Sequence, residues 1–225
     1  MQRFFDIFFS GFALIILSPI LLPLIFLLRV TGEGEIFFLQ DRVGLDGKYF
    51  KLYKFATMLK NSPNLGTGTV TIKNDPRILP LGRFLRNTKI NELPQLINIF
   101  KGDMSIIGPR PQTKRCFDAF PLSAQNEIKK VRPGLSGIGS IVFRNEENMM
   151  NLNNDYNQFY DKSIMPYKGS LETWYVSRQN IWSYFNLIGL TIWVVFTSNS
   201  RIIWTIYKDL PKPPTDLKQP LDFAD

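Results

Sequence analysis

From Ile7 to Leu28 the chain carries no charged residue, a run of about 22 positions, the length an α-helix needs to cross a hydrocarbon core of about 30 Å. That run commits the N-terminus to a membrane before any other feature is weighed. It is too long for the apolar part of a secretory signal, and no small-x-small cleavage pattern follows it. Ser18-Pro19 falls at its middle and Pro23 four residues on. Proline removes a helical donor and clashes with the preceding turn, so a break or sharp kink is expected there. The preferred reading of residues 1–31 is a re-entrant membrane helix, two half-helices entering and leaving by one face; a bent span is the alternative. Arg3 and Arg29 flank both ends, so the basic-residue bias does not require the ends to lie on opposite sides.

A second charge-free stretch, Asn180 to Ser200, is salted with Ser, Asn and Thr and carries Trp182, Tyr184, Phe185 and Trp193. Indole and phenol rings favour the headgroup level, so residues 179–210 read as interfacial aromatic helices, with a second span as the alternative. The proline-rich tail, 211–225, is expected to be disordered.

Between these ends, residues 32–178 read as a small α/β domain. Ile36 to Leu39 and Tyr49 to Tyr53 form a strand pair joined by the Asp46-Gly47 turn. A loop with Asn61-Ser62-Pro63 and Gly66-Thr67-Gly68 follows. Leu81 to Phe100 has helical periodicity interrupted by Pro94 and stopped by Lys101-Gly102, and Leu122 to Val131 is a short helix halted by Arg132-Pro133-Gly134.

The chain contains no His, which excludes Ser-His-Asp and Cys-His catalysis and His-ligated zinc. Any acid, base or nucleophile is then a carboxylate, Lys, Tyr or the single thiol, Cys116, which lacks a recognisable activating neighbour. The formal net charge is +8, with the basic residues spread through the middle of the chain. This points to phosphorylated ligands or anionic lipid rather than to nucleic acid, because the aromatic residues concentrate in the membrane-seeking ends instead of interleaving with the cations. Arg sits beside Pro or Gly at Asp75-Pro76-Arg77, Gly82-Arg83, Gly108-Pro109-Arg110-Pro111 and Arg132-Pro133-Gly134. A stiff backbone next to a guanidinium fork holds a phosphate well, whereas any one of these Arg residues alone reads equally as solvated surface.

Lys89 to Pro111, KINELPQLINIFKGDMSIIGPRP, closely resembles the signature of the bacterial sugar transferases, the monotopic phosphoglycosyl transferases that start capsule, O-antigen and glycoprotein glycan assembly. The likeness extends to Arg3-Phe4-Phe5-Asp6, Ser18-Pro19, Gln40 to Gly44, Tyr53-Lys54-Phe55, Arg132 to Gly137, and Arg144-Asn145. The resemblance implies a membrane helix hinged at Ser18-Pro19 and a small α/β domain on the cytoplasmic face of the inner membrane. It implies transfer of a sugar-1-phosphate from a nucleotide diphosphate sugar, by family expectation a uridine one, to polyprenol phosphate, with Mg²⁺ (or Mn²⁺) as cofactor. In the family an Asp of an Asp-Glu pair attacks the β-phosphate.

Here that position is Asn91, followed by Glu92. Ala56 stands where relatives usually have Lys or Arg, and Ile138 where many have Trp. An amide oxygen is a poor nucleophile. The three changes together look like a diverged branch more than a single engineered substitution; a non-catalytic membrane scaffold or substrate-binding member is the alternative. By resemblance the catalytic residues are Glu92, Asn91 and Arg86, and Glu92 is also the metal ligand. Lys54, Pro109, Arg110, Arg132, Arg144 and Asn145 bind substrate. The bland reading of Glu92 is a surface acid paired with Lys89. The sequence leaves the oligomeric state open, a homo-oligomer included.

Overall fold

The computed structural model describes residues 1–65, 75–144, 146, 156–197 and 199–223. The Gly66-Thr67-Gly68 loop and Asn145 lie outside the described residues. Helix α1 is Gln2–Val30; strands β1 (Phe37–Val43) and β2 (Tyr49–Phe55) form a hairpin. Helices α2 (Pro80–Asn87) and α3 (Gln95–Lys101) are separated by a 3-10 turn, Ile90–Glu92. Next come β3 (Ser105–Ile107), α4 (Lys114–Asp118), α5 (Leu122–Ile128), β4 (Gly134–Ser136) and α6 (Ile138–Val142). Helix α7 (Tyr156–Phe159) runs through a π-turn, Tyr160–Ile164, into α8 (Met165–Ser177). Helices α9 (Ile181–Thr197), α10 (Ile202–Ile206) and α11 (Thr215–Lys218) follow. The α/β expectation is corrected in proportion: among the described residues the chain is mostly helical, with two small two-stranded sheets.

The first helix is continuous in its backbone across the position where a break or kink was expected. Residues 2–30 stay in one helix although it contains Pro19 and Pro23. Pro19 has no N–H to offer the carbonyl of Ile15, four residues back, and the Ser18 hydroxyl donates to that carbonyl at 2.7 Å instead. The Ser-Pro pair thus repairs the bond that its proline removes.

The chain divides into two compact units. One comprises Ile7–Gln40 and Lys51–Lys101. In it, Leu14, Leu17, Leu21, Leu24, Ile25 and Leu28, spaced three and four apart, bring one face of α1 against Phe55, Leu85, Ile90 and Leu93. The other face shows Phe8, Phe12, Ile15, Ile16, Ile20 and Phe26, and only 11% of the helix's most apolar window is buried. The helix is long and apolar enough to cross a membrane. Asn98 of α3, fully buried, accepts from the Tyr53 N–H at 2.9 Å and donates to the Lys51 carbonyl at 2.7 Å, so one side chain completes the backbone bonding of β2. Helix α2 meets the end of this strand at Gly82, where a Cβ would stand 2.1 Å from the Thr57 carbonyl oxygen. Arg77, sequence-marked as a phosphate fork, is instead buried: it pairs with Asp75 at 2.5 Å and donates to the carbonyls of Ser62 and Leu65 at 2.8 Å.

The other unit comprises Met1–Asp6, Asp41–Phe50 and Gly102–Asp225. Its sheet pairs β3 and β4 in parallel, Ser105 opposite Gly134 and Ile107 opposite Ser136. Asp6 is buried and accepts from the Ser105 hydroxyl (3.0 Å), the Ile106 N–H (3.0 Å) and the Tyr184 hydroxyl (2.9 Å). Ile138, the departure from the usual Trp, is fully buried with Ile107, Leu171, Tyr175 and Leu187. Helix α9, of 17 residues, sends Tyr184, Leu187, Leu190 and Val194 into this core and exposes Trp182, Ile192, Trp193 and Phe196. Residues 211–223 of the tail, expected to be disordered, pack onto this unit. Leu210, Leu217 and Leu221 are buried in the same core and the Tyr167 hydroxyl donates to the Pro211 carbonyl at 2.8 Å. Three leucines bury enough apolar surface to hold a proline-rich strand in place.

Candidate active site

Lys89 sits in the left-handed region at φ 60°, unusual for a residue with a Cβ, and turns the chain from α2 into the Ile90–Glu92 segment. The Lys89 N–H closes onto the Arg86 carbonyl at 3.1 Å and the Glu92 N–H onto the Lys89 carbonyl at 3.0 Å. These bonds fix Arg86, Asn91 and Glu92 around one tight bend. Backbone strain held by surrounding bonds is a feature of functional sites, and here it falls on the segment the family signature marks.

Glu92 directs its carboxylate to Lys54 of β2, Oε1 to Nζ at 3.8 Å, and both side chains are about one-fifth exposed. The ion pair is therefore with Lys54; the bond to Lys89 is a backbone one. Lys54 and Glu92 come together, then, from positions 38 apart in sequence. Asn91 is buried, with 7% of its surface exposed, and its Oδ1 has no hydrogen-bond partner among the described residues. Gln95, one helical turn on, is also buried and its Nε2 is likewise unpartnered. Buried polar atoms left unpaired are costly, and two of them beside one carboxylate mark a place organised for something other than stability. Arg86 places Nη1 3.9 Å from the Met58 sulfur. Among the described residues no three carboxylate, thiol or imidazole groups converge to hold a metal ion. A Mg²⁺ that keeps most of its waters needs no such cage, and the partly exposed Glu92 carboxylate is an oxygen donor of the kind it takes.

Arg110, Arg132 and Arg144 lie in the other unit. There the Gly108-to-Pro111 loop and the Arg132-to-Gly137 segment are pressed backbone to backbone: the Gly134 N–H donates to the Pro109 carbonyl at 2.8 Å and the Gly108 N–H to the Ser136 carbonyl at 2.9 Å. Pro109 and Arg110 line a narrow crevice with Gly44, Gln112 and Pro133. Arg132 donates through Nε to the Gly102 carbonyl at 2.8 Å, and Arg144 through Nη2 to the Val195 carbonyl at 3.2 Å, near the C-terminal end of α9. Sequence reasoning missed Glu172 of α8. It is 3% exposed and accepts backbone bonds from Arg110 and Gly139. Burial pushes its carboxyl up to about 8, against the pull of Lys168 and of those two N–H groups. Lys168 itself is buried over the Phe143 ring and pairs with Glu146 at 2.7 Å.

The strained Asn91-Glu92 bend, the paired Lys54 and the glycine-packed Arg loops are all carried by residues 1–198, and over these residues the chain matches the family described as bacterial sugar transferase. The chain belongs to that family. Relatives of this bacterial sugar transferase include the UDP-glucose:undecaprenyl-phosphate glucose-1-phosphate transferase of Klebsiella pneumoniae, 32% identical over 88% of this chain and 41% of that protein. A UDP-N-acetylgalactosamine-undecaprenyl-phosphate N-acetylgalactosaminephosphotransferase of Aeromonas hydrophila is 37% identical over 63% of this chain and 34% of its own length. The exopolysaccharide production protein ExoY of Sinorhizobium fredii is 35% identical over 64% of this chain and 70% of its own. The chain thus spans well under half the length of the first two relatives and more than two thirds of the third.

Proposed function

We propose that this bacterial sugar transferase moves a sugar-1-phosphate from a nucleotide diphosphate sugar, uridine-linked by analogy with its relatives, to polyprenol (undecaprenyl) phosphate, the first step of assembling a surface glycan. The observation that carries the reading is the Glu92–Lys54 pair on the strained bend next to Asn91, whose Oδ1 has no hydrogen-bond partner among the described residues. Asn91 cannot form an acyl-phosphate. In the direct form of the reaction a lipid phosphate oxygen attacks the β-phosphorus, the bond from that phosphorus to the bridging oxygen breaks, and nucleoside monophosphate leaves with the bonding pair. Lys54 and Arg86 offset charge on the diphosphate; Arg110, Arg132 and Arg144 are read as substrate-binding by resemblance to the family. Glu92 orients the attacking phosphate. Mg²⁺ bound at Glu92 supplies neutralisation of the diphosphate charge. The test offers labelled polyprenol phosphate and a panel of nucleotide sugars to the protein: a labelled polyprenol diphosphate sugar with one nucleotide sugar is expected, and binding without product for every sugar leaves the scaffold reading instead.

The same reading puts both ends of α1 on the cytoplasmic face of the inner membrane. Asp6 is tied to Ser105 and Tyr184, Leu28 packs with Phe55 and Leu85, and no helix of spanning length is found among the described residues after α1. The uncovered face of α1 and the exposed Trp182, Trp193 and Phe196 of α9 then enter the bilayer from one side. Single cysteines at positions 2 and 34, labelled with a membrane-impermeant thiol reagent in inverted and right-side-out vesicles, are expected to react from the same face. Reaction from opposite faces contradicts this topology.

A further inference from the structure

Glu172 is the one buried carboxylate in its helix, and its contacts do not lead to bulk solvent or to a surface partner. A Cβ added to Gly139 would stand 2.3 Å from its Oε1, so the carboxyl lies directly against the first turn of α6, where it accepts the Gly139 N–H. It accepts the Arg110 N–H as well. Its Oε2 has no hydrogen-bond partner among the described residues, so both amides fall to Oε1. The two amides belong to the two segments that matter most in this unit. Arg110 lies in the crevice-lining loop, and α6 ends two residues before Arg144.

The N-cap of α6, Gly137, makes no side-chain bond, and Arg110 stands between two prolines that cannot donate. Removing the acceptor at Glu172 takes this bond from both amides. Lys168, one turn earlier on α8, is held by both oxygens of Glu146 at 2.7 Å and is stacked at 4.9 Å from the Phe143 ring centre, so the helix that carries Glu172 is itself locked.

We propose that Glu172 is a positioning residue: through the backbone of Arg110 and of Gly139 it fixes the loop and the helix start from which Arg110 and Arg144 reach the nucleotide diphosphate sugar. This rests on the reading of Arg110 as a phosphate ligand, and the two are tested separately. Glu172→Gln keeps the shape and the Oε1 acceptor; Glu172→Leu keeps the bulk and removes the acceptor.

Hydrogen–deuterium exchange of the full chain in lipid nanodiscs reads the loop itself. The amides of Arg110 and Gly139 are expected to be protected in the wild type and in Glu172→Gln and to exchange at least about tenfold faster in Glu172→Leu, the scale of a lost hydrogen bond. Free exchange of either amide in the wild type, or unchanged protection in the Leu variant, overturns the proposal, and the wild-type arm decides even where the Leu variant does not fold.

The second arm is KM for the nucleotide sugar. Glu172→Leu is expected to raise it about tenfold in the wild-type background and clearly less in an Arg110→Ala background, where only the Gly139 route remains, with Glu172→Gln restoring it. An equal rise in both backgrounds shows that Glu172 does not act through Arg110 and overturns the proposal. If no nucleotide sugar is bound by the wild type while the exchange pattern holds, the phosphate-ligand reading of Arg110 fails and the hold of Glu172 on the loop stands.

Discussion

Glu92→Gln is expected to lower the rate of sugar-phosphate transfer by about a thousandfold, the range associated with loss of a positioned charged group at a reacting centre. The substitution keeps the volume and removes the charge. The carboxylate stands 3.8 Å from the Lys54 ammonium on a bend where the neighbouring Asn91 is uncharged, so Gln at position 92 leaves the bend with no anion. Two consequences follow on the proposed mechanism: Lys54 loses this ion pair, and the carboxylate proposed to hold the divalent ion is gone. Stability should hardly move, because an ion pair one-fifth exposed contributes about 1 kcal/mol or less. Comparing initial rates with thermal unfolding of the same two preparations separates the effects. A variant that folds normally and transfers at the wild-type rate removes Glu92 from the mechanism.

Gly134→Ala is expected to prevent the β3–β4 unit from forming, a loss of more than about 4 kcal/mol, against a usual total stability of about 5–15 kcal/mol. A Cβ at Gly134 would lie 2.1 Å from the Gly108 nitrogen and 2.5 Å from the Gly108 oxygen, and both are backbone atoms that no rotamer change can move aside. Gly108 is under the same pressure from the Arg132 carbonyl at 2.5 Å, so the two loops cannot part without breaking the Gly134-to-Pro109 and Gly108-to-Ser136 bonds. The control is Gly189→Ala in α9, where an added Cβ meets nothing within 4 Å and helix propensity favours alanine by about 1 kcal/mol. Resistance to limited proteolysis and soluble yield in detergent should fall for the first variant and hold for the second. Equal yields of both contradict the packing argument.

The parts of this molecule that were legible in its sequence are those whose signal is local. The Asp46-Gly47 turn appears with both residues at positive φ, 56° and 73°, between the two strands it was expected to join. The apolar run became a helix over its whole length because twenty-odd uncharged residues leave the backbone no better partner than itself. Where the reading failed, a side chain answered a local rule. At position 19 proline leaves the Ile15 carbonyl without its N–H, and the Ser18 hydroxyl serves it while the helix continues. In the tail, four prolines dominated the composition, whereas the outcome was decided by leucines at 210, 217 and 221 that reach a core built from residues far upstream.

The site shows the same division. Glu92 was marked by the signature, but its partner Lys54 is on another element and only the fold pairs them. Asn98 and Glu172 are polar residues inside helices, a pattern the sequence assigns to solvent. Both turn inward, because Asn98 meets strand backbone 47 positions away and Glu172 meets the amides of Arg110 and Gly139. Arg77 went the other way: marked as a phosphate fork, it closes on Asp75 two residues before it and on two carbonyls, and its guanidinium is spent on the fold. A sequence shows which groups carry charge; which of them face a ligand depends on partners that only folding brings near.

The central claim is that the chain transfers sugar phosphate as it stands, with Asn91 where its family has a nucleophilic Asp. Asn91 is buried and its Oδ1 unpartnered, so Asn91→Asp would place a second carboxylate beside Glu92 at a site that disfavours charge, and activity should stay similar or fall. The decisive measurement is release of nucleoside monophosphate from a nucleotide sugar by the Asn91 protein and by Asn91→Asp, each with and without polyprenol phosphate. The account predicts release by the Asn91 protein that depends on the lipid phosphate, and no acyl-phosphate at position 91. Release that appears only in Asn91→Asp, and there without any lipid acceptor, would contradict it.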